Sequence, residues 1–187
     1  AIPTLLHPIS TTACETTSDK QAAAVAYYDR LYTADAVDTD AIRYFTNQIP
    51  AADRIPDSDH QTLCEPFTLD DLVDAATRAP KQSSPGIDSL PYAIIHLLLT
   101  HAATAAIALQ VYSDALLHGV FPQSWQETCL VLLPKKGNLS LLQNWRPISL
   151  ICCDAKIFTR LLNARLMLRF STRLSISQSG FMPQRFI

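Results

Sequence analysis

Glycine is scarce in this sequence, with 4 among 187 residues against 12 prolines. A large β-sandwich needs many tight reversals, and glycine is the residue that enters left-handed turns without steric cost, so that architecture is disfavoured. Helices joined by proline-stiffened connections are expected instead. Paired cysteines are also missing. Cys14, Cys64, Cys129, Cys152 and Cys153 are odd in number, form no C-x-x-C spacing and have no histidine at finger-like intervals, which points to buried thiols in a reducing compartment. No signal peptide opens the chain, which starts at alanine and reads as a processed or excised fragment lacking its targeting information. Formal charge is absent between Asp88 and Asp114, long enough to raise a membrane span. His96, Thr100, His101, Thr104 and Gln110 interrupt that stretch, and no Lys or Arg between Lys81 and Lys135 anchors it, so a helix buried on most sides of a core is expected.

What is present is the composition of a folded body: 48% apolar and 17% charged residues. The net charge of -2 hides a division. Residues 1–124 carry 6 Lys or Arg against 15 Asp or Glu, a balance of 6 - 15 = -9; residues 125–187 carry 9 against 2, a balance of +7. A polyanion would meet the second segment and avoid the first. The alternative is that the acidic part packs against the basic part within one molecule.

Local patterns predict several elements. "TSDKQAAAVAYYDRLYTAD" reads as a helix capped by Ser18 or Asp19, with Val25, Tyr28, Leu31 and Tyr32 at helical spacing. "TDAIRYFTNQI" reads as a shorter helix, and "PAADRIPDSDHQTLCEP" as a connector. "TLDDLVDAATRA" has Thr68 and Asp71 placed for a capping box and should end near Pro80. In "APKQSSPGIDSLP", Ser84, Pro85 and Gly86 make a turn, Asp88 can accept backbone hydrogen bonds, and Pro91 can start the next helix. Lys81 there reads equally as a solvated charge.

"ETCLVLLPKK" and "WRPISLICC" read as two strands that bring Lys135, Lys136 and Arg146 to one end of a ribbon. Lysine supplies a mobile point charge and arginine a fixed fork of donors, a combination suited to phosphate, although a solvated basic turn has the same sequence. "DAKIFTRLLNARLMLRFSTRL" is helical, with apolar residues on more than one face. Arg165, Arg169 and Arg173 form a ridge, either along an exposed seam or on a solvated face.

In order and spacing, "SSPGIDSLPYAII", "FPQSWQETCLVLLPKKGN", "NWRPISLICCDAKIFTRLLNARL" and "ISQSGFMPQRFI" resemble the N-terminal half of the reverse transcriptase domain of non-LTR (LINE-type) retrotransposons. The resemblance covers residues 65–187 and leaves 1–64 as a helical linker or N-terminal extension. It implies an α+β fold, mostly helical with a short antiparallel ribbon, corresponding to the fingers and beginning of the palm of a right-hand polymerase. It implies nucleotide or phosphate binding by Lys135, Lys136 and Arg146, and template or nucleic-acid binding by Lys81, Ser84, Gly86, Gln178, Gly180, Phe181 and Arg185. Gln184 stands before Arg185 where the family commonly has glycine.

The implied partners are an RNA template, a DNA primer, deoxynucleoside triphosphates and the remaining palm and thumb, with no membrane and with self-association of the isolated piece. The parent is expected inside the cell, in nucleus and cytoplasm. Polymerases of this kind hold two Mg²⁺ ions on paired palm aspartates. No aspartate follows Asp154, so the chain alone is expected to bind no cofactor and to be inactive. A noncatalytic RNA- or DNA-binding module and a protein-interaction fragment are the competing functions.

Overall fold

The computed structural model describes residues 2–80, 82–180 and 182. The fold is mixed α+β, mostly helical, with two small two-stranded sheets. It has two compact units, each assembled from two stretches of chain: residues 1–39 with 130–149, and residues 40–129 with 150–187.

In the first unit, β1 (Leu5–Leu6) pairs antiparallel with β2 (Ala13–Cys14), Leu5 opposite Cys14 and Leu6 opposite Ala13. One ribbon was expected from the sequence; this second hairpin was not, because two-residue strands are too short to show periodicity. Its reversal is held by His7, whose Nδ1 accepts from the backbone N–H groups of Ile9 and Ser10 at 3.3 Å each. Helix α1 (Thr17–Tyr32) is capped by Thr16 rather than by Ser18 or Asp19. Thr16 Oγ1 accepts from Asp19 N at 3.1 Å and donates to the Asp19 carboxylate at 2.7 Å, so Asp19 is the partner of the cap. Of the four residues at helical spacing only Tyr28 is buried; Val25, Leu31 and Tyr32 are exposed. Alanines take their place, since Ala23 is buried and Ala24 packs beside it, with no long side chain to hold the helix away.

The expected ribbon forms from β3 (Cys129–Pro134) and β4 (Trp145–Leu150). Residues 135–144 are too few for a parallel crossover, so the strands run antiparallel. Leu5, Cys14, Ala23, Leu142 and Trp145 make the core of this unit, with Tyr27, Leu132 and Leu139 packed against it.

The second unit is helical: α2 (Thr39–Asn47), α3 (Asp57–Cys64), α4 (Leu69–Thr77), α5 (Tyr92–Thr100), α6 (Ala102–His118), the short α7 (Gln123–Gln126) and α8 (Cys153–Phe170). The segment expected as a connector holds a 3-10 turn at Ala51–Asp53 and α3, which Asp57 and Asp59 favour at its positive end; neither element buries a residue. The capping box at α4 is present, Asp71 N donating to Thr68 Oγ1 at 3.1 Å and Thr68 N to Asp71 Oδ2 at 2.9 Å.

The single uncharged helix expected after Asp88 is two. The chain turns extended at His101, and α5 and α6 meet at 107°. The carbonyl of His101 accepts from Thr104 N and Ala105 N and so starts α6 afresh. The pair is buried along one side only, with Leu97 and Ile107 exposed. Among the described residues no single helix is long and apolar enough to cross a membrane; only this bent pair meets that test, by length and composition.

The core gathers Phe67, Leu72, Leu99, Tyr112, Ile157 and Phe158. Phe158 is its aromatic hub, with ring centroids 5.2 Å from Trp125, 5.8 Å from Phe67 and 5.9 Å from Phe121. All five cysteines are free, but only Cys14, Cys152 and Cys153 are buried; Cys64 and Cys129 are exposed, against the expectation for the whole set.

Candidate nucleic-acid interface

The connection between β3 and β4 is built by its own hydrogen bonds. Lys135 N donates to Asn144 O at 2.7 Å, closing the ribbon. Gly137 has a φ of 110°, which a β-carbon disfavours. Asn138 Oδ1 then accepts from Ser140 N at 3.0 Å and Ser140 Oγ at 2.8 Å, while Asn138 O accepts from Asn144 Nδ2 at 2.8 Å. Trp145 anchors the segment from below, its Nε1 donating to Leu139 O at 2.9 Å and its ring buried.

Strand alternation therefore turns Arg146 outward, where it is exposed, as are Lys135 and Lys136. The two lysines differ. Lys135 Nζ folds back on Gln143 O at 3.2 Å, whereas no hydrogen bond or ion pair holds Lys136 among the described residues. No carboxylate occurs between Glu127 and Asp154, so the local potential is positive and unbalanced in sequence.

The remaining sequence candidates lie in the second unit. The "SSPGIDSLP" turn is formed by Ser89 N donating to Gly86 O at 3.2 Å and Leu90 N to Asp88 Oδ1 at 3.1 Å. Gly86 has a packing reason to be glycine: a β-carbon would fall 2.7 Å from both Cys152 Cα and Ile151 C, backbone atoms that cannot swing aside. Lys156 Nζ holds the turn through Ser84 O at 2.6 Å, leaving the Ser84 side chain at an exposed position. Gln178 Nε2 donates to Gly180 O at 3.0 Å within a turn. Lys81, Phe181 and Arg185, with Gln184, lie outside the described residues.

The arginine ridge is committed to the second unit, with Arg165 and Arg169 on α8 and Arg173 in the turn beyond Phe170, where the helix ends earlier than expected. Arg165 donates to the carbonyls of Glu65 and Pro66 and lies over the Phe67 ring, 4.3 Å from its centroid. Arg169 Nε approaches Asp59 Oδ2 at 3.7 Å, and Arg173 donates to Arg169 O at 2.7 Å. Of these contacts, one joins the basic segment to a carboxylate of the acidic one; the others go to backbone carbonyls and an aromatic ring.

Asp88, Cys152 and Asp154 place one potential ligand atom each within 4.8 Å of one another. They do not suit Mg²⁺, which requires an octahedral set of oxygens. Burial and neighbouring carboxylates push the Cys152 thiol up, favouring its protonated form, and the thiol donates to Ser124 O at 3.3 Å. Asp88 Oδ1 and Asp154 Oδ1 already accept from Leu90 N and Ala155 N. Asp88 thus belongs to the turn, and Asp154 stands in the first turn of α8, at the positive end of the helix.

No family model matches the chain. Over 164 residues it is 30% identical to a Xenopus laevis protein described as "Transposon TX1 uncharacterized 149 kDa protein", a match covering 88% of this chain and 12% of that protein. Over 103 residues it is 30% identical to a "Probable RNA-directed DNA polymerase from transposon BS" of Drosophila melanogaster, covering 54% of this chain and 11% of the relative. The chain is distantly similar to retrotransposon-associated proteins. It spans about an eighth of the length of these curated relatives.

Tyr92, Lys156 and Arg160 had no functional reading in the sequence, yet they surround one recess of the second unit. Their one available signal was the spacing of two cations four residues apart on α8, which the neighbouring arginines obscured.

Proposed function

We propose that this chain is the fingers and early-palm portion of the RNA-directed DNA polymerase of a non-LTR retrotransposon, with the polymerase-like part beginning near residue 65. The observation that carries the proposal is the hydrogen-bonded connection of β3 and β4, which presents Lys136 and Arg146 outward with no carboxylate nearby in sequence. The similarity to a probable RNA-directed DNA polymerase supports it independently.

In this role Arg146 supplies direction through its planar fork, and Lys135 and Lys136 supply local potential toward a nucleotide or template phosphate. Lys81, Ser84, Gly86, Gln178, Gly180, Phe181 and Arg185 would lie on the template side. The parent would act inside the cell, on RNA template, DNA primer and deoxynucleoside triphosphates. Mg²⁺ in the parent would be held by palm carboxylates.

The direct test is primer extension by a protein that joins this chain to a complete palm and thumb, comparing wild type with Arg146→Lys. The expected result is a lower kcat/KM for deoxynucleotide at unchanged generic nucleic-acid affinity; an unchanged kcat/KM removes the bidentate role. The exposed Lys136 and Arg146 on a connection without nearby carboxylates fit one other function, a noncatalytic nucleic-acid-binding module. The coding frame beyond Ile187 separates the two, because only a polymerase supplies paired palm aspartates. Exposed Val25, Leu31 and Tyr32 on α1 support self-association of the isolated chain, which sedimentation at several concentrations would reveal as a rising mass.

A further inference from the structure

The ribbon of β3 and β4 leaves one strand edge unused. It is a sheet of two strands only, and among the described residues no backbone hydrogen bond from outside the ribbon reaches Leu130, Val131 or Leu132. Lys135 N donates to Asn144 O, so Lys135 faces β4, and strand alternation turns the N–H and C=O groups of Leu130 and Leu132 the other way. The opposite edge of the ribbon is interrupted by Pro147, which has no N–H to offer. β3 itself is apolar throughout, with Leu130, Val131 and Leu133 exposed. An exposed apolar edge of this kind is a template for another strand. Beside it, Leu130 and Leu132 line an open groove of about 1360 Å³ together with Val25, Tyr28 and Tyr32 of α1.

The charges at the two ends of β3 select the partner. Glu127 precedes the strand by two residues on extended backbone, with φ −106° and ψ 145°, and Lys135 directly follows it. Glu127 accepts from the neutral Gln123 amide and Lys135 donates to a carbonyl, and neither is ion-paired among the described residues. A segment with an acid at one end, a base at the other and only neutral residues between them matches its own reverse. Antiparallel strands set residues of like orientation opposite each other, so the register of β3 against a copy of itself changes only in two-residue steps. Among those registers, the one that pairs Leu130 with Leu132 of the second copy also places Glu127 directly opposite Lys135 of the second copy.

We propose that two copies of this chain join edge to edge through β3, antiparallel about a two-fold axis at Val131, so that β3, β4 and their copies form one four-stranded sheet. Leu130 and Leu132 exchange backbone hydrogen bonds across the contact, and the charged pair occurs twice by symmetry. The inference rests on the self-association proposed above and assigns its surface; it does not depend on the polymerase reading.

Sedimentation of the 187-residue chain at several concentrations measures the association. Leu130→Pro removes one outward N–H per copy while leaving the bonds to β4 in place, and thermal melts check that it folds. It should raise the dimer dissociation constant about tenfold or more, as two lost hydrogen bonds imply. Lys135→Glu turns both charged pairs repulsive and should raise it about tenfold, and adding Glu127→Lys should restore it. Val131 faces its own copy where the strands exchange no backbone bonds and Cα atoms stand about 4.5 Å apart, within disulfide range. With the exposed Cys64 and Cys129 changed to serine, Val131→Cys should therefore cross-link on mild oxidation, and Ile148→Cys on β4 should not. A chain that stays monomeric at every concentration overturns this inference and the self-association together. Association that Leu130→Pro leaves unchanged, with no cross-link for Val131→Cys, overturns the β3 edge alone and moves the contact to the exposed face of α1. Where Leu130→Pro fails to fold, the charge reversal and the cross-link decide.

Discussion

Lys136 and Arg165 are both cations in the basic part of the sequence, and the two units use them in opposite ways. Arg165 lies over the Phe67 ring and donates to two backbone carbonyls, so its charge is part of how α8 is fastened to residues 65–67. Lys136 stands on a connection shaped by Asn138, Asn144 and Gly137, and its own side chain makes no hydrogen bond or ion pair among the described residues. A charge tally counts the two alike. The difference teaches that a positive segment becomes an interface only where backbone and neutral side chains do the structural work and leave the cations to solvent.

The two required glycines provide the largest test of this contrast. Gly86→Val drives a side chain into the backbone of residues 151–152 and is expected to destabilise the second unit by about 3 kcal/mol or more, through overpacking that cannot relax. Gly137→Ala is a dihedral problem at the basic connection, expected to cost about 1–3 kcal/mol. Urea unfolding midpoints measure both. Equal, negligible shifts would mean that neither segment is held as described.

Exchanging the cations gives the next effect. Arg165→Met is expected to cost about 1–2 kcal/mol of stability through the lost ring contact and carbonyl bonds, with little change in nucleic-acid affinity. Lys136→Gln should leave the melting temperature unchanged and reduce the slope of log affinity against log salt by about 1. The opposite pattern would invert the assignment of the two regions.

A smaller effect concerns pH. Burial raises the pKa of the Cys152 and Cys153 thiols above the ordinary 9.0, so the folded state binds their protons more tightly than the unfolded chain does. Their contribution is fully present below pH 9.0 and is lost as pH rises through the raised values. Melting temperatures between pH 8 and 10.5 should therefore fall for wild type and fall less for Cys152→Ala. Parallel curves would show that the thiol titrates alike in both states.

Much of the local organisation is determined by residues close in sequence. Thr68 and Asp71 specify a capping box because each partner lies within the same helical turn. Apolar runs on either side of "PKKGN" specify two strands, and Gly137 and Asn138 mark the reversal between them. The charge asymmetry likewise follows from sequence alone. Tertiary structure decides which cations are used up, because the carbonyls and ring that hold Arg165 come from residues about a hundred positions earlier. It also decides that Gly86 must lack a side chain, since the obstructing backbone lies at residues 151–152. The recess lined by Tyr92, Lys156 and Arg160 belongs to the same class: no local pattern places α5 against α8, and the recess exists only because they pack together.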